Sequence, residues 1–332
     1  MTVVAVAPGR VNLIGDHTDH TGGLAMAMAI DLTTTVTGEP GGDRVELRSA
    51  DEPEPAAVAL DVADPAAVEP AWARYVAGVV AEMRPEIGFM GRVCTTIPIG
   101  AGLSSSAALE LAVALALGAA GDPTTLAGLC RSAEQRASGV PCGIMDQLTS
   151  AAGLAGHALL IDCHALTVTP IRLPSDVDVV VVHSGEARRL AGSAYAERRR
   201  QCEAAESIVG PLRLLRDPAA VDVIDEPVIR QRARHVLTEN ARVRTFADAL
   251  TAGEVGTAGR LMIESHASLA GDFDVSTPAL DALVSRLTAT PGVHGARLTG
   301  AGFGGCAVAL TDPGVLSEGW TVLASDGARR TG

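Results

Sequence analysis

The order of apolar and polar positions predicts alternating strands and helices. Residues 2–7, TVVAVA, suit a strand that ends at Pro8 and Gly9, and residues 24–37 suit extended structure. A helix is predicted at 71–83, with Trp72, Tyr75 and Val79 on one face. The further predicted elements are strands at 93–97 and 177–182, and helices at 105–117, 124–137, from 144, 192–209, 227–251, 253–265 and 277–288.

Two further segments are rich in residues that favour turns. Residues 51–70 are rich in Asp, Glu, Pro and Ala and predict a variable surface loop, and residues 296–310 predict a strand, a glycine turn and a second strand. Because single cores stop growing near 250–300 residues, 332 residues favour two domains. We place the boundary before the apolar run 177–182, which gives domains 1–173 and 174–332.

Composition excludes several function classes. Hydrophobic residues make up 47% of the chain and aromatics 2%, so Ala, Val and Leu must fill the core. A net charge of −13 disfavours nucleic acid and anionic membranes as partners. All 26 basic residues are arginine, which excludes a Walker G-K-[ST] loop. Any phosphate chemistry must therefore rest on arginine, backbone N–H groups and metal.

The cysteines and the N-terminus indicate a reduced compartment. The six cysteines include no C-x-x-C pair and no zinc spacing, as in a cytoplasmic protein. MTVVAVAPGR lacks the features of a signal peptide. The apolar stretch 107–120 is too short to span a bilayer, which needs about 20 residues.

The sequence PIGAGLSSSAALELA, residues 98–112, is the first motif that carries chemistry. A predicted strand leads into spaced glycines and three serines, and a helix follows at once. Such a turn offers backbone N–H groups and the positive end of a helix dipole to an anion. An ordinary glycine turn with a serine N-cap is the alternative, but three consecutive serines exceed what a cap requires. The motif predicts a phosphate site.

The second motif is GRVNLIGDHTDHTGG, residues 9–23, in which one arginine precedes Asp16, His17, Asp19 and His20. A polar cluster on a glycine-bounded loop suits a ligand with several hydroxyls, because each carboxylate accepts more than one hydrogen bond. A solvated turn or a metal site are the alternatives. Metal is the weaker one, because no further cluster has metal-ligand spacing.

Two later motifs are weaker by themselves. In GVPCGIMDQLTS, residues 139–150, Asp146 lies early in a predicted helix, where a carboxylate often complements the helix dipole. In LTGAGFGGCAVAL, residues 298–310, the glycines spell G-x-G-x-x-G. A dinucleotide site would need a helix after these glycines, whereas a strand is predicted. A glycine-lined wall beside a ligand, or a tight hairpin, fits better.

Together, the three glycine-containing motifs at 9–23, 98–107 and 298–306 resemble the signatures of the GHMP small-molecule kinases, and among them the galactokinases. WARYVAGVV, GIMDQLTS, SAYAERRRQC and the stretch from His235 to Leu269 also resemble that branch. The resemblance implies an α+β chain with the two-domain GHMP kinase fold. Its N-terminal domain would be S5 domain 2-like with a left-handed βαβ crossover, an exception to the usual hand, and its C-terminal domain ferredoxin-like.

The resemblance also implies an activity, which is ATP- and Mg²⁺-dependent phosphorylation of the anomeric hydroxyl of galactose by a cytoplasmic monomer. It further implies a role for each matching residue. Arg10 would stabilise the transition state and Asp146 would act as base or orienting charge; Asp16, His17, Thr18, Asp19, Gly143 and Tyr195 would bind sugar; Gly100, Ala101, Gly102, Leu103, Ser104, Ser105 and Ser106 would bind ATP; Ser106 and Glu134 would hold Mg²⁺.

Several positions depart from the galactokinase pattern. Asp16 stands where glutamate is usual and His20 where tyrosine is usual, which predicts a changed pocket floor with an added titratable group. His183–Gly185, Arg188 and Arg189 also differ, and a helix after Leu310 is missing. A kinase for another hexose, an amino sugar or a cyclitol is therefore an alternative, and a non-catalytic sugar sensor is another. The intact Ser104–Ala107 run disfavours the sensor.

Overall fold

The structure is a computed structural model that describes residues 1–187 and 191–331; the Arg188 and Arg189 departures lie outside them. The strands are β1 (Val3–Ile14), β2 (Leu24–Pro40), β3 (Arg44–Ser49), β4 (Ala56–Ala59), β5 (Phe89–Thr95), β6 (His157–Asp162), β7 (Thr167–Arg172), β8 (Asp178–His183), β9 (Val293–Thr299), β10 (Cys306–Thr311), β11 (Trp320–Val322) and β12 (Arg329–Thr331). The α-helices are α1 (Ala73–Met83), α2 (Ser105–Ala116), α3 (Pro123–Ser138), α4 (Met145–Ala152), α5 (Ala191–Val209), α6 (Pro227–Thr251), α7 (Val255–Gly271) and α8 (Pro278–Thr288).

The first sheet has the order β12-β1-β2-β5-β3-β4, and β6 joins β2 and carries β7 at its other edge. Only β3 and β5 are parallel among these pairs, and β4 and α1 lie in the connection between them. The left-handed sense of that crossover stays a prediction. Helix α2 contacts β1, β2, α1, α3 and α4. Its alanines and leucines are therefore buried on nearly every side. Apolar residues all round a helix are typical of a buried helix, whereas a surface helix has them on one face only.

The second sheet is antiparallel, with the order β11-β8-β10-β9. Numbered along the chain, its strands stand in the order 4-1-3-2, which is the split βαβ arrangement of a ferredoxin-like domain. Helices α5 to α8 form the connection between β8 and β9. Residues 312–319, between β10 and β11, form no helix, which confirms the shortened connection that the sequence predicted.

The observed elements differ from the predicted ones in several places. Strand β1 does not end at Pro8 and Gly9 but continues to Ile14, because a register shift between Pro8 and Arg10 accommodates the proline, which has no N–H to donate. The predicted loop at 51–70 contains strand β4. Strands β6 and β7 were not predicted, and α7 extends beyond the predicted residue 265 to Gly271.

The last residues of the chain return to the first sheet. Strand β12 pairs with β1, and Ser325 N donates to Ala29 O at 3.0 Å. The N–H of Ala328 donates to Ser150 O at the end of α4, at 2.9 Å. The division at 173/174 stays a prediction. Among the described helices, none combines the length and apolar character needed to cross a bilayer.

Candidate active site

The connection between β1 and β2 forms a folded loop whose backbone is held from within. The Thr18 hydroxyl lies 2.8 Å from Gly15 O and 2.6 Å from Leu24 O. Its side chain is fully buried within the loop and does not line the cavity described below, and its role in sugar binding stays a prediction. A short 3-10 helix, Asp19–Thr21, turns the chain back into β2.

Helix α6 holds the same loop from outside. His235 Nε2 lies 3.2 Å from Asp16 O, Glu239 Oε1 accepts from Gly15 N at 3.0 Å, and Asn240 Oδ1 accepts from Leu24 N at 2.7 Å. Burial acts to raise the pKa of Glu239, but neighbouring charge, chiefly that of Arg242, lowers it to about 2. These three side chains had no predicted role. Their spacing on one buried helix face, i, i+4 and i+5, was the available signal.

One cavity of about 330 Å³ gathers both predicted catalytic residues and most of the residues predicted to bind sugar. Its wall includes two neighbouring rings, because the His17 centroid lies 5.5 Å from that of Tyr195 at an interplanar angle of 37°. The Phe273 ring lies behind this wall, with its centroid 4.6 Å from that of His17. Arg10, Asp16, His17, Asp19, Glu134, Gly143, Asp146 and Tyr195 all line this cavity. Side chains that are 185 residues apart in the sequence thus face one volume.

Asp19 lies deep against the loop before α4. Its Oδ1 accepts from His20 N at 2.9 Å, and a Cβ on Gly143 would overlap its Oδ2. Burial, with the nearby charge of Asp146, raises the pKa of Asp19 to about 6. A glycine is needed at 143 because the carboxylate occupies the space of a side chain.

His20 does not add a titratable group to the pocket floor, contrary to the prediction. It is absent from the cavity lining and packs against the rings of Tyr195 and Phe273. Burial lowers the pKa of His20 to about 3, so the ring is neutral at physiological pH.

The Asp16 carboxylate is anchored by a residue that the sequence did not single out. Arg297 Nη2 donates to Asp16 Oδ2 at 2.5 Å, and Gly300 N donates to Asp16 Oδ1 at 3.0 Å. Arg297 is completely buried on β9. A buried guanidinium needs such a partner, because an unpaired charge inside a protein is costly. A charged residue placed between the apolar Ala296 and Leu298 of β9 was the available signal.

Arg10 and Asp146 form a paired group at the cavity's other end. Arg10 Nε donates to Asp146 Oδ1 at 2.8 Å and Nη2 to Oδ2 at 2.5 Å, a two-point pair of the strong kind. Arg10 Nη1 donates to Gly102 O at 2.8 Å. Ser104 Oγ also donates to Asp146 Oδ2, at 2.5 Å. Asp146 therefore connects the arginine to the glycine-serine loop.

The glycine-serine loop between β5 and α2 has an unusual backbone. Gly100, Gly102 and Ser104 all adopt positive φ, and the side chains of Ala101 and Leu103 point into the core. Ser104 makes no capping hydrogen bond to α2, so the capping alternative is wrong for that serine. Its left-handed backbone and its bond to Asp146 favour a site function instead.

Ser106 and Glu134, which the resemblance assigns to Mg²⁺, lie within hydrogen-bond distance of each other, and their metal role stays a prediction. Ser106 Oγ donates to Glu134 Oε1 at 3.0 Å, and Gln147 Nε2 donates to Glu134 Oε2. Both partners are oxygen donors of the kind that Mg²⁺ takes. Gln147 also donates to Glu110 Oε2 at 3.3 Å, and burial raises the pKa of Glu110 well above its ordinary value.

A second cavity, of about 450 Å³, opens on the other side of the serine loop. Ser105 and Ser106 line it together with Trp72 and Asp51, and it shares Tyr75 and Ser138 with the first cavity. The two cavities are therefore neighbours, and the bond from Ser106 to Glu134 joins a residue of the second cavity to one of the first. The motif at 98–112 predicted a phosphate site but not this second cavity.

Fold and site together define a small-molecule kinase of the GHMP class. Three family profiles match: the galactokinase galactose-binding signature at residues 1–40, the GHMP kinase N-terminal domain at 74–154 and the GHMP kinase C-terminal domain at 246–326. The galactokinase of Roseiflexus sp. (strain RS-1) is 44% identical over 331 residues, covering 93% of this chain and 83% of that protein. Human galactokinase is 42% identical, covering 92% and 83%. The chain belongs to the galactokinase family.

Solved structures agree on the fold. The galactokinase of Lactococcus lactis, solved with galactose, superposes with a TM-score of 0.91 at 29% identity, covering 99% of this chain and 95% of that one. A mevalonate kinase superposes with a TM-score of 0.67 at 21% identity, covering 94% and 92%. The predicted two-domain α+β GHMP kinase fold is thereby confirmed. Proteins of this family are sugar kinases that use ATP as co-substrate.

Proposed function

We propose that this chain transfers the γ-phosphoryl group of ATP to the anomeric hydroxyl of galactose. The observation that carries the proposal is the first cavity, where the Arg10–Asp146 pair faces the carboxylates of Asp16 and Asp19. Several acceptors around one small volume suit a ligand with many hydroxyls. The adjoining serine loop and second cavity suit a nucleotide whose phosphates reach that pair.

In the transfer step, Asp146 takes the proton of the attacking sugar hydroxyl. The oxygen of that hydroxyl forms a bond to the γ-phosphorus. The bond from that phosphorus to the β–γ bridging oxygen breaks, and ADP leaves. Arg10 offsets charge that develops on the transferred group, and its two hydrogen bonds to Asp146 hold the carboxylate in a fixed orientation. Such reactions depend mainly on positioning and charge stabilisation, which this rigid pair supplies.

Mg²⁺ fits between the two cavities. Ser106 and Glu134 would hold it through oxygen atoms that now lie 3.0 Å apart. Mg²⁺ typically binds with one or two protein ligands and completes its shell with water and phosphate oxygens, so two ligands are sufficient. The bound ion would neutralise phosphate charge during transfer.

A turnover panel tests the substrate. ADP release would be followed with ATP and Mg²⁺ for galactose, galactosamine, N-acetylgalactosamine, glucose, arabinose, galacturonate and several cyclitols. Efficient turnover of galactose is the expected result. If another hexose, an amino sugar or a cyclitol were turned over while galactose was silent, the mechanism would stand and the substrate assignment would not. Sugar binding with no turnover at all would favour the sensor.

Galacturonate should be a very poor substrate. The cavity lining contains Asp16, Asp19, Glu134 and Asp146, and the guanidinium of Arg10 is already paired with Asp146. The carboxylate of galacturonate would enter without a counter-charge, and like charges disfavour binding in a partly desolvated site. We expect kcat/KM for galacturonate at least about 1,000-fold below galactose. Comparable values for both would contradict an acidic sugar pocket.

Sugar affinity should fall in mild acid because of Asp19. Its pKa of about 6 is above the ordinary value of 3.8, so the carboxylate is lost as pH falls through 6. At pH 5 roughly one molecule in ten retains the charged acceptor, so the KM for sugar should be about tenfold higher than at pH 8. The KM for ATP serves as the internal control. Asp19→Asn should remove the pH dependence; its persistence would assign the titration to another group.

We also propose that the protein acts as a monomer in the cytoplasm. Cys94, Cys130, Cys142, Cys163 and Cys202 carry free thiols, which suits a reducing compartment. Light scattering at working concentration tests the oligomeric state.

A further inference from the structure

Two segments from distant parts of the chain meet beside the sugar cavity. Helix α5 contributes Tyr195, and the loop between α3 and α4 contributes Val140, Cys142 and Gly143. The same loop leads into α4, which starts at Met145 and carries Asp146. The relative position of α5 and this loop therefore sets the width of the cavity between Tyr195 and Gly143.

Arg199 connects these two segments directly. It lies one helical turn beyond Tyr195 on α5, so both side chains lie on the same face of the helix. Its Nη1 donates to Pro141 O in the loop at 3.0 Å, while its Nε donates to Glu203 Oε1 at 2.8 Å, one further turn along α5. Glu203 thus orients the guanidinium through Nε, and Nη1 is left to reach the loop.

The loop is also tied at its other side. Gln135 Nε2, on α3, donates to Cys142 O at 3.1 Å, and Cys142 N donates to Val140 O at 2.9 Å. The Pro141 carbonyl therefore stands between two fixed neighbours, and Arg199 is the hydrogen-bond donor that reaches it from α5. Arg199 is 29% exposed, so it can be replaced without opening a core cavity.

We propose that Arg199 is a positioning residue for sugar binding: by holding α5 against the loop before α4, it sets the distance between Tyr195 and Gly143 across the sugar cavity. The inference rests on the proposed function, because it takes this cavity as the sugar site. Arg199 does not line that cavity, and within the described part of the chain its hydrogen bonds go to Pro141 and Glu203 and not to the phosphate loop, so its effect should be confined to sugar binding.

The test compares the Arg199→Met variant of the whole chain with wild type, using initial rates and sugar-binding calorimetry. Methionine keeps much of the aliphatic length but cannot donate to Pro141 O. We expect the KM and dissociation constant for galactose to rise roughly tenfold, equivalent to about 1.4 kcal/mol. The value of kcat and the KM for ATP should change by less than about twofold, because transition-state groups are untouched.

Two further variants separate positioning from general stability. Arg200→Met is the matched control, because Arg200 pairs with Glu197 on its own helix and should behave as wild type. Arg199→Lys keeps a donor and should recover part of the sugar affinity. The proposal would be overturned if Arg199→Met lowered kcat and raised the KM for galactose and the KM for ATP by similar factors. It would also be overturned if the KM for galactose were unchanged in Arg199→Met. If wild type itself neither bound nor phosphorylated galactose, the proposed function would fail instead.

Discussion

Asp146→Asn should lower kcat by about 1,000-fold or more while both substrates still bind. Removing a general base typically lowers the rate 10²- to 10⁴-fold. Here the same change also disturbs Arg10, the cation that offsets charge in the transition state. The carboxylate accepts from Arg10 at both oxygens and from Ser104 at one of them. An amide offers one acceptor oxygen and turns an NH₂ donor towards another donor, so Arg10 must shift as well.

The measurement is single-turnover kinetics together with calorimetry for sugar and for ATP. Asp122→Asn is a matched control, because Asp122 caps α3 through Thr125 N at 2.7 Å and asparagine caps a helix equally well. That control should keep wild-type kcat. Retention of more than about a tenth of kcat in Asp146→Asn would rule out both a base and an essential orienting charge at this position.

The sequence predicted the parts of the site that lie within one short motif. Arg10, Asp16 and Asp19 lie within one motif of fifteen residues. The glycines at 100 and 102 stand where the backbone adopts positive φ. The ferredoxin-like sheet followed from the resemblance, while the local pattern gave the buried strand β8 and the β9–β10 hairpin. Patterns of this kind are readable because their physics is local.

The parts that the sequence did not predict depend on long-range contacts. Arg297 meets Asp16 across 281 residues, and Glu239 meets Gly15 across 224. Periodicity can show that such side chains are buried, but not which loop they face. Strands β6 and β7 were missed for a related reason, since only their pairing with β2 and with each other distinguishes them from irregular chain. His20 was misplaced because a pocket wall and the layer behind it have the same local pattern.

Gly143→Ala should abolish most sugar affinity without unfolding the protein. Gly143 does not adopt a positive φ, so alanine is compatible with its backbone. The new Cβ would overlap Asp19 Oδ2, and the carboxylate must rotate out of the cavity. Losing hydrogen bonds from sugar hydroxyls to a charged acceptor should weaken sugar binding by about 100-fold, or about 2.7 kcal/mol. ATP binding should change by less than about twofold.

A double-mutant cycle with Asp19→Ala shows whether Gly143 acts through Asp19. Asp19→Ala alone should also cost about 100-fold in sugar affinity, because it removes the same acceptor. Once that side chain is gone, the Cβ at 143 enters vacated space and should add less than about twofold. Gly128→Ala on α3 is the matched control, because a Cβ there meets nothing within 4 Å and alanine favours the helix. Losses that multiplied to about 10⁴-fold would mean that Gly143 contacts the sugar independently of Asp19.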